Sequence, residues 1–144
     1  MLVSQILKSK ASDQVHTSLP TLLISEAAQI LSEKRIGTLV ISKDGKSPDG
    51  ILSERDIVRE LGLRGSGCLT DTVDKLMTTE LVTCAQDDRA DVVLQKMTDG
   101  RFRHMPVLKD GAMVGLISLG DVVKARLAEL SMEKDALEGM IMGH

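Results

Sequence analysis

The sequence of this chain repeats itself. IGTLVISKDG (36–45) returns as FRHMPVLKDG (102–111), 66 residues later, and VHT (15–17) meets LVT (81–83) at the same spacing. Downstream, GILSERDIV (50–58) meets GLISLGDVV (115–123) at a spacing of 65, so one residue has been lost in the intervening turn. A sparser match joins VSQIL (3–7) to VDKLM (73–77). A duplicated segment folds as two copies of one supersecondary unit, and a unit of about 60 residues is marginal alone. The copies occupy residues 1–61 and 73–128. The Gly-rich connector 62–72 reads as a loop, and 129–144 as a C-terminal helical extension.

Within each copy a short extended piece (VHT or LVT) precedes a helix (ISEAAQILSEK or ADVVLQKMTD). In the first of these helices Ala27, Ile30 and Leu31 recur at helical spacing and bury one face. Two strands follow, TLVIS then GILS, and HMPVL then MVGLIS, each pair joined through Lys-Asp-Gly. Asp-Gly between apolar runs signals a hairpin, because the tight turn needs positive φ. A further helix starts near Arg55 or Gly120. The fold class expected is α/β (α+β): two β-α-β-β-α repeats packed sheet to sheet with pseudo-twofold symmetry, which creates two equivalent clefts.

Composition narrows the function. A formal net charge of −3 gives no general attraction to nucleic acid or to an anionic membrane. No apolar run approaches the roughly 20 residues of a membrane span. The opening MLVSQILKSKAS lacks the apolar stretch of a secretory signal. Cys68 and Cys84 stand apart with no CxxC, which suits free thiols in a reducing cytosol, or one lone disulfide. The expected location is cytoplasmic. Phe102 is the only aromatic residue, so the core is aliphatic and Met-based. His16, His104 and His144 have no metal-ligand spacing with the cysteines, so no metal site is expected. No constellation supplies a nucleophile and a base together, so neither an enzyme nor a required cofactor is expected.

Gly-apolar-apolar-Ser-x-x-Asp closes both copies, giving Ser53 with Asp56 and Ser118 with Asp121. The motif has two readings. As a capping box, the Ser oxygen accepts a backbone N–H and the acid supports the first helical turn. As a ligand site, a strand end and a helix N-terminus present N–H groups and the positive end of the helix dipole to a phosphate. The hydroxyl adds a donor. A carboxylate repels phosphate but suits the diol of a neighbouring ribose. Gly50 and Gly115 would then let the backbone come close to the ligand.

On GILSERD, GLISLGD, RFRHMPV and LMTTELVT, the chain resembles a tandem pair of cystathionine β-synthase (CBS) domains, a Bateman module of the small stand-alone bacterial type. The resemblance covers nearly the whole chain. It implies a regulatory, non-catalytic module that binds AMP, ADP or ATP, or else NAD or S-adenosylmethionine, in the clefts, as in energy sensing. It also implies a homodimer that signals to a regulated protein the sequence does not identify. Asp56 and Asp121 would hold ribose, and Ser53 and Ser118 phosphate. Residues 15–17 and 81–83, including Thr17, Val82 and Thr83, would line the adenine pocket. The stretch Arg103, His104, Met105 and Pro106 would face the ligand, as would Thr38 in the first copy.

The copies differ along that stretch. Arg103, His104 and Pro106 stand where the first copy has Gly37, Thr38 and Val40, so the second is better equipped for a charged tail. A solvated surface role for Arg103 and a hydrogen-bonded structural role for His104 are equally open. Arg59 and Lys124, one turn after the acids, read as surface charges. The alternative function is a structural or interaction dimer with no physiological ligand. Finally, a helix should run from Asp121 to about Ile141. In it Val123, Leu127, Leu130, Leu137 and Ile141 step by 4, 3, 7 and 4, with Lys134 interrupting the stripe. Packing on its own domain is the first expectation for that stripe, and a dimer or partner contact the second.

Overall fold

The computed structural model describes residues 1–10 and 14–142, so His144 and the end of the 129–144 extension lie outside it. The order is α1 (Val3–Ser9), β1 (Thr17–Ser18), α2 (Ile24–Lys34), β2 (Thr38–Ile41), β3 (Gly50–Ser53), α3 (Glu54–Arg64), β4 (Cys84–Ala85), α4 (Ala90–Gly100), β5 (His104–Lys109), β6 (Ala112–Ser118) and α5 (Leu119–Ile141). The class is mixed α+β, with two three-stranded sheets ordered β1-β2-β3 and β4-β5-β6. The connector differs from the loop expected of it. Helix α3 runs through Arg64, and Gly65–Thr70 continue as a 3-10 turn. The glycines do not prevent this, because Cys68 is fully buried and Leu69 packs on the first core.

The duplication is visible in the backbone. Strands β1 and β2 pair in parallel, with Ser18 opposite Ile41, and β4 and β5 pair in parallel, with Cys84 opposite Val107. Each partner has moved by the 66 residues of the sequence repeat. Helices α2 and α4 both end on a left-handed arginine, Arg35 and Arg101. The amide of Glu54 donates to the Gly37 carbonyl at 2.9 Å, and that of Leu119 to the Arg103 carbonyl at 2.7 Å. The hairpin turn of the second copy has Asp110 and Gly111 both at positive φ, as the Asp-Gly signal requires.

Two compact units emerge, and neither is one contiguous repeat. The first holds residues 14–82 with the turn 110–113. The second holds the N-terminal segment, residues 83–109 and the chain from Val114 onward. In the first unit, Ile24, Leu31, Leu39, Ile41, Leu52 and Ile57 form a core with Val73 and Leu76, which precede the second copy's strands. In the second unit, Val93, Met97, Met105, Val107, Ile117 and Val122 form a core with Val3 and Ile6 of α1. Each copy's leading segment thus completes the core of the other.

The backbone bonds agree. Leu2 bridges Arg89, with Val3 N–H donating to Asp88 O and Ala90 N–H to Met1 O, both at 2.9 Å. Leu23 bridges Thr72, with Val73 N–H donating to Leu22 O at 2.8 Å and Ile24 N–H to Asp71 O at 2.9 Å. This exchange also assigns the two motif glycines. A Cβ at Gly115 would lie 2.7 Å from Leu7 Cδ2, and one at Gly50 2.5 Å from Met77 Sδ. The space beside them is filled by the leading segments, so they serve that crossing rather than a ligand's approach.

Candidate functional site

In each unit the polar residues singled out from the sequence gather at one end of a sheet. In the first, β2 runs antiparallel to β3 and sets Thr38 directly opposite Ser53. Thr38 is buried, and Thr17 is exposed on the neighbouring strand. Ser53 ends β3 and caps α3. Its Oγ accepts the Asp56 amide at 3.3 Å, and Asp56 Oδ2 accepts the Ser53 amide at 2.9 Å. Asp56 Oδ2 also accepts the Ser53 hydroxyl at 3.1 Å, while Oδ1 takes Arg59 at 2.8 Å. Asp56 is only 7% exposed, so its carboxylate is paired and nearly enclosed. Arg59, read as a surface charge, is the group that pairs it.

The second unit repeats the cap and changes the surroundings. Ser118 Oγ accepts the Asp121 amide at 3.1 Å, and Asp121 Oδ2 accepts the Ser118 amide at 2.9 Å. The capping reading of the motif is therefore realised in both copies. Here the cation is Lys10, which follows α1: its ammonium lies 2.9 Å from Asp121 Oδ2 and donates to the Leu116 carbonyl at 2.9 Å. The Asp121 side chain keeps 24% exposure, against 9% for Asp56. Burial alone would raise the Asp121 pKa. The Ser118 amide and Lys10 more than offset it and hold the carboxyl below its usual range, so it is ionised at neutral pH.

His104 and Arg103 complete this end. Arg103 is exposed, and its carbonyl receives the first amide of α5. His104 opens β5 and is half-buried. Burial pushes its pKa down from 6.5; Lys10 and Arg103 push the same way, and Asp121 opposes them. The ring is therefore neutral at pH 7 and keeps both a donor and an acceptor nitrogen. Met105 is fully buried in the core, which leaves only its backbone to meet a ligand, and Pro106 is buried beside it. Thr83 precedes β4 and is half-buried, whereas Val82 is exposed at the end of the first unit.

Lys10 is the residue that sequence reasoning missed. It lies in the leading segment of the first copy, about 110 positions from the acid it pairs, and only the exchange of segments brings it there. Among the described residues no cluster of His, Cys, Asp and Glu is placed to hold a metal ion. Both cysteines are free thiols, and burial pushes the Cys84 thiol up to about 12, so it is not a nucleophile at neutral pH. Among the described residues no helix is long and apolar enough to cross a membrane.

Comparison with known proteins fits this architecture. A mitochondrial CBS domain-containing protein of Arabidopsis thaliana is 35% identical over 124 residues, covering 83% of this chain and 60% of that protein, so the chain spans less than two thirds of this relative. A CBS-domain containing protein from Agrobacterium tumefaciens superposes with a TM-score of 0.82 at 38% identity, over 88% of this chain and 99% of the other. A CBS domain protein from Pyrobaculum aerophilum complexed with AMP superposes at 0.77 with 28% identity, over 92% and 99%. The CBS domain pair of protein MJ0100, in complex with 5′-methylthioadenosine and S-adenosyl-L-methionine, superposes at 0.76 with 27% identity, over 90% and 98%. CBS domain proteins are generally regulatory, non-catalytic modules. The CBS domain family matches residues 3–63 and 73–128, and with this duplicated fold the chain belongs to that family as a tandem CBS pair.

Proposed function

We propose that the chain is a regulatory module that binds an adenine nucleotide at the polar sheet ends, with the stronger site in the second repeat. The observation that carries this reading is the contrast between the two acids. Asp121 is ionised, partly exposed, paired with Lys10 and close to His104, which Arg103 also neighbours, whereas Asp56 is enclosed by its own cap and Arg59. A carboxylate has about four acceptor sites, and the cap uses only part of them. Asp121 can keep its cap and still accept the hydroxyls of a ribose. Lys10 and Arg103 supply the positive charge a phosphate needs, and Ser118 the N-terminal cap beside it. Relatives solved with AMP and with S-adenosyl-L-methionine support the adenine class, and ADP, ATP and NAD belong to the same chemistry.

In this reading Ser53, Thr17 and Thr38 form a weaker first site, and Val82 and Thr83 contribute to adenine contacts. The module acts in the cytoplasm as a homodimer and passes its ligand state to a regulated protein. Thermal melting in millimolar AMP, ATP, NAD or S-adenosylmethionine tests the reading. A ligand present at about 100 times its Kd adds about 2.7 kcal/mol, which at this size raises Tm by roughly 5–10 °C. Melting curves unchanged by all of these ligands would leave the chain a structural module.

A further inference from the structure

Helix α5 is 23 residues long, yet its buried residues, Val122 and Ala125, both lie in its first two turns. From Leu130 to Met142 every residue except Gly139 is exposed. The apolar stripe is thus not packed on its own domain, against the first expectation for it: Leu127 is 63% exposed, Leu137 59% and Ile141 84%. The family match ends at residue 128, so the CBS fold does not account for the rest of this helix. A stretch of 12 to 15 residues is marginal as an isolated helix in water, and a bare apolar stripe makes association favourable. At about 3.6 residues per turn, Val123, Leu127, Leu130, Lys134, Leu137 and Ile141 share one face, apart from the buried one.

We propose that this stripe is the seam of an antiparallel pair of α5 helices from two copies of the chain. The inference rests on the homodimer reading and deepens it. The stripe steps by 4, 3, 4, 3 and 4 once Lys134 is included, which is a heptad seam. The charges choose the direction. Parallel pairing would stack Lys134 on the second copy's Lys134 and set Glu133 beside its Glu138, two repulsive arrangements. Antiparallel pairing sets Val123 against Ile141, Leu127 against Leu137 and Leu130 against Lys134, so each Lys134 lies along an apolar neighbour with its ammonium free to reach solvent. It also places Lys124 opposite Glu138 at both ends of the seam. Glu133 meets its counterpart at the twofold axis, the one like-charge pair left, with the two Lys134 side chains nearby.

Sedimentation of the full chain and thiol cross-linking test this together. The wild type should sediment at twice 15.6 kDa. The double variant Leu127→Asp/Leu137→Asp should sediment at 15.6 kDa and still melt cooperatively, because neither side chain is in a core, with the Tm lowered only by the lost association. In Val123→Cys/Ile141→Cys, mild oxidation should link position 123 of one chain to 141 of the other, read by peptide mass mapping. Within one chain these positions are about 27 Å apart along the helix, so they cannot bond to each other. Links of 123 to 123 and 141 to 141 would overturn the antiparallel direction. A dimeric Asp variant would overturn the α5 seam while leaving the homodimer reading intact. A monomeric wild type would end both.

Discussion

The two repeats share a backbone and differ in the charge they place at the sheet end. Their strand registers, left-handed helix ends and serine caps correspond residue for residue. Around the acid they part. The first repeat pairs Asp56 with Arg59 from the next turn of its own helix and encloses it. The second leaves Asp121 partly exposed and brings Lys10 from the far end of the chain. Counting from the matched Leu7 and Met77, the position of Lys10 corresponds to Glu80, so the charge there is reversed. Duplication has kept the scaffold, which packing constrains, while exposed positions diverged. The difference in ligand preference proposed for the two repeats rests on that divergence rather than on the fold.

The largest expected effect concerns the exchange of leading segments. Ile6→Ala removes a fully enclosed side chain and should cost about 2–5 kcal/mol. In hydrogen exchange the lost protection should appear in residues 84–125, the partners of α1, and not in residues 24–57. Loss centred on the first repeat would break the assignment of each leading segment to the other copy's core. Next come the two glycines. Gly50→Ala and Gly115→Ala should each cost about 1–3 kcal/mol in denaturant melts, because the new methyl meets Met77 or Leu7. A cost at only one position would break the equivalence of the two crossings.

A smaller effect sharpens the contrast in charge. Lys10→Met should reduce the preference for AMP over adenosine by about 1 kcal/mol, or roughly fivefold, as expected for a part-exposed charge. Glu80→Gln should change it far less. Equal effects would mean that Lys10 serves only the Asp121 pair. The smallest effect is in pH. Because burial lowers the His104 pKa, the folded chain binds fewer protons than the unfolded chain below pH 6.5. Stability from this group is therefore complete above 6.5 and is lost as pH falls toward the folded value, by less than about 1.4 kcal/mol per pH unit. In Tm measured from pH 7.5 to 5.5, His104→Gln should flatten that part of the slope. An unchanged slope would mean that the ring is not held neutral.

Much of this was legible in the sequence, and the reasons are local. The repeat offset, the two hairpins, the helix starts beside Ser53 and Ser118 and the length of α5 follow from spacing, turn chemistry and capping, which act over a few residues. The exchanged segments were not legible, because VSQIL and VDKLM carry no signal of which core they complete. Lys10 was missed for the same reason, and the space beside Gly50 and Gly115 that was assigned to a ligand is filled by Met77 and Leu7. The connector misled by composition: its glycines signalled a loop, but the burial of Cys68 holds a 3-10 turn. The stripe on α5 was visible as a pattern, and only its exposure distinguishes a seam from a core face.

The most direct test of the division between the repeats is calorimetric titration of AMP into the wild type, Asp121→Ala and Asp56→Ala. If Asp121 holds the ribose, its loss should weaken AMP and adenosine alike by about 1.5–3 kcal/mol, the range for hydrogen bonds to a charged group. Asp56→Ala should mainly lower Tm, through the broken cap and the unpaired Arg59, and weaken AMP less. Wild-type affinity in Asp121→Ala, with only a lower Tm, would reduce GLISLGD to a helix cap and contradict the account.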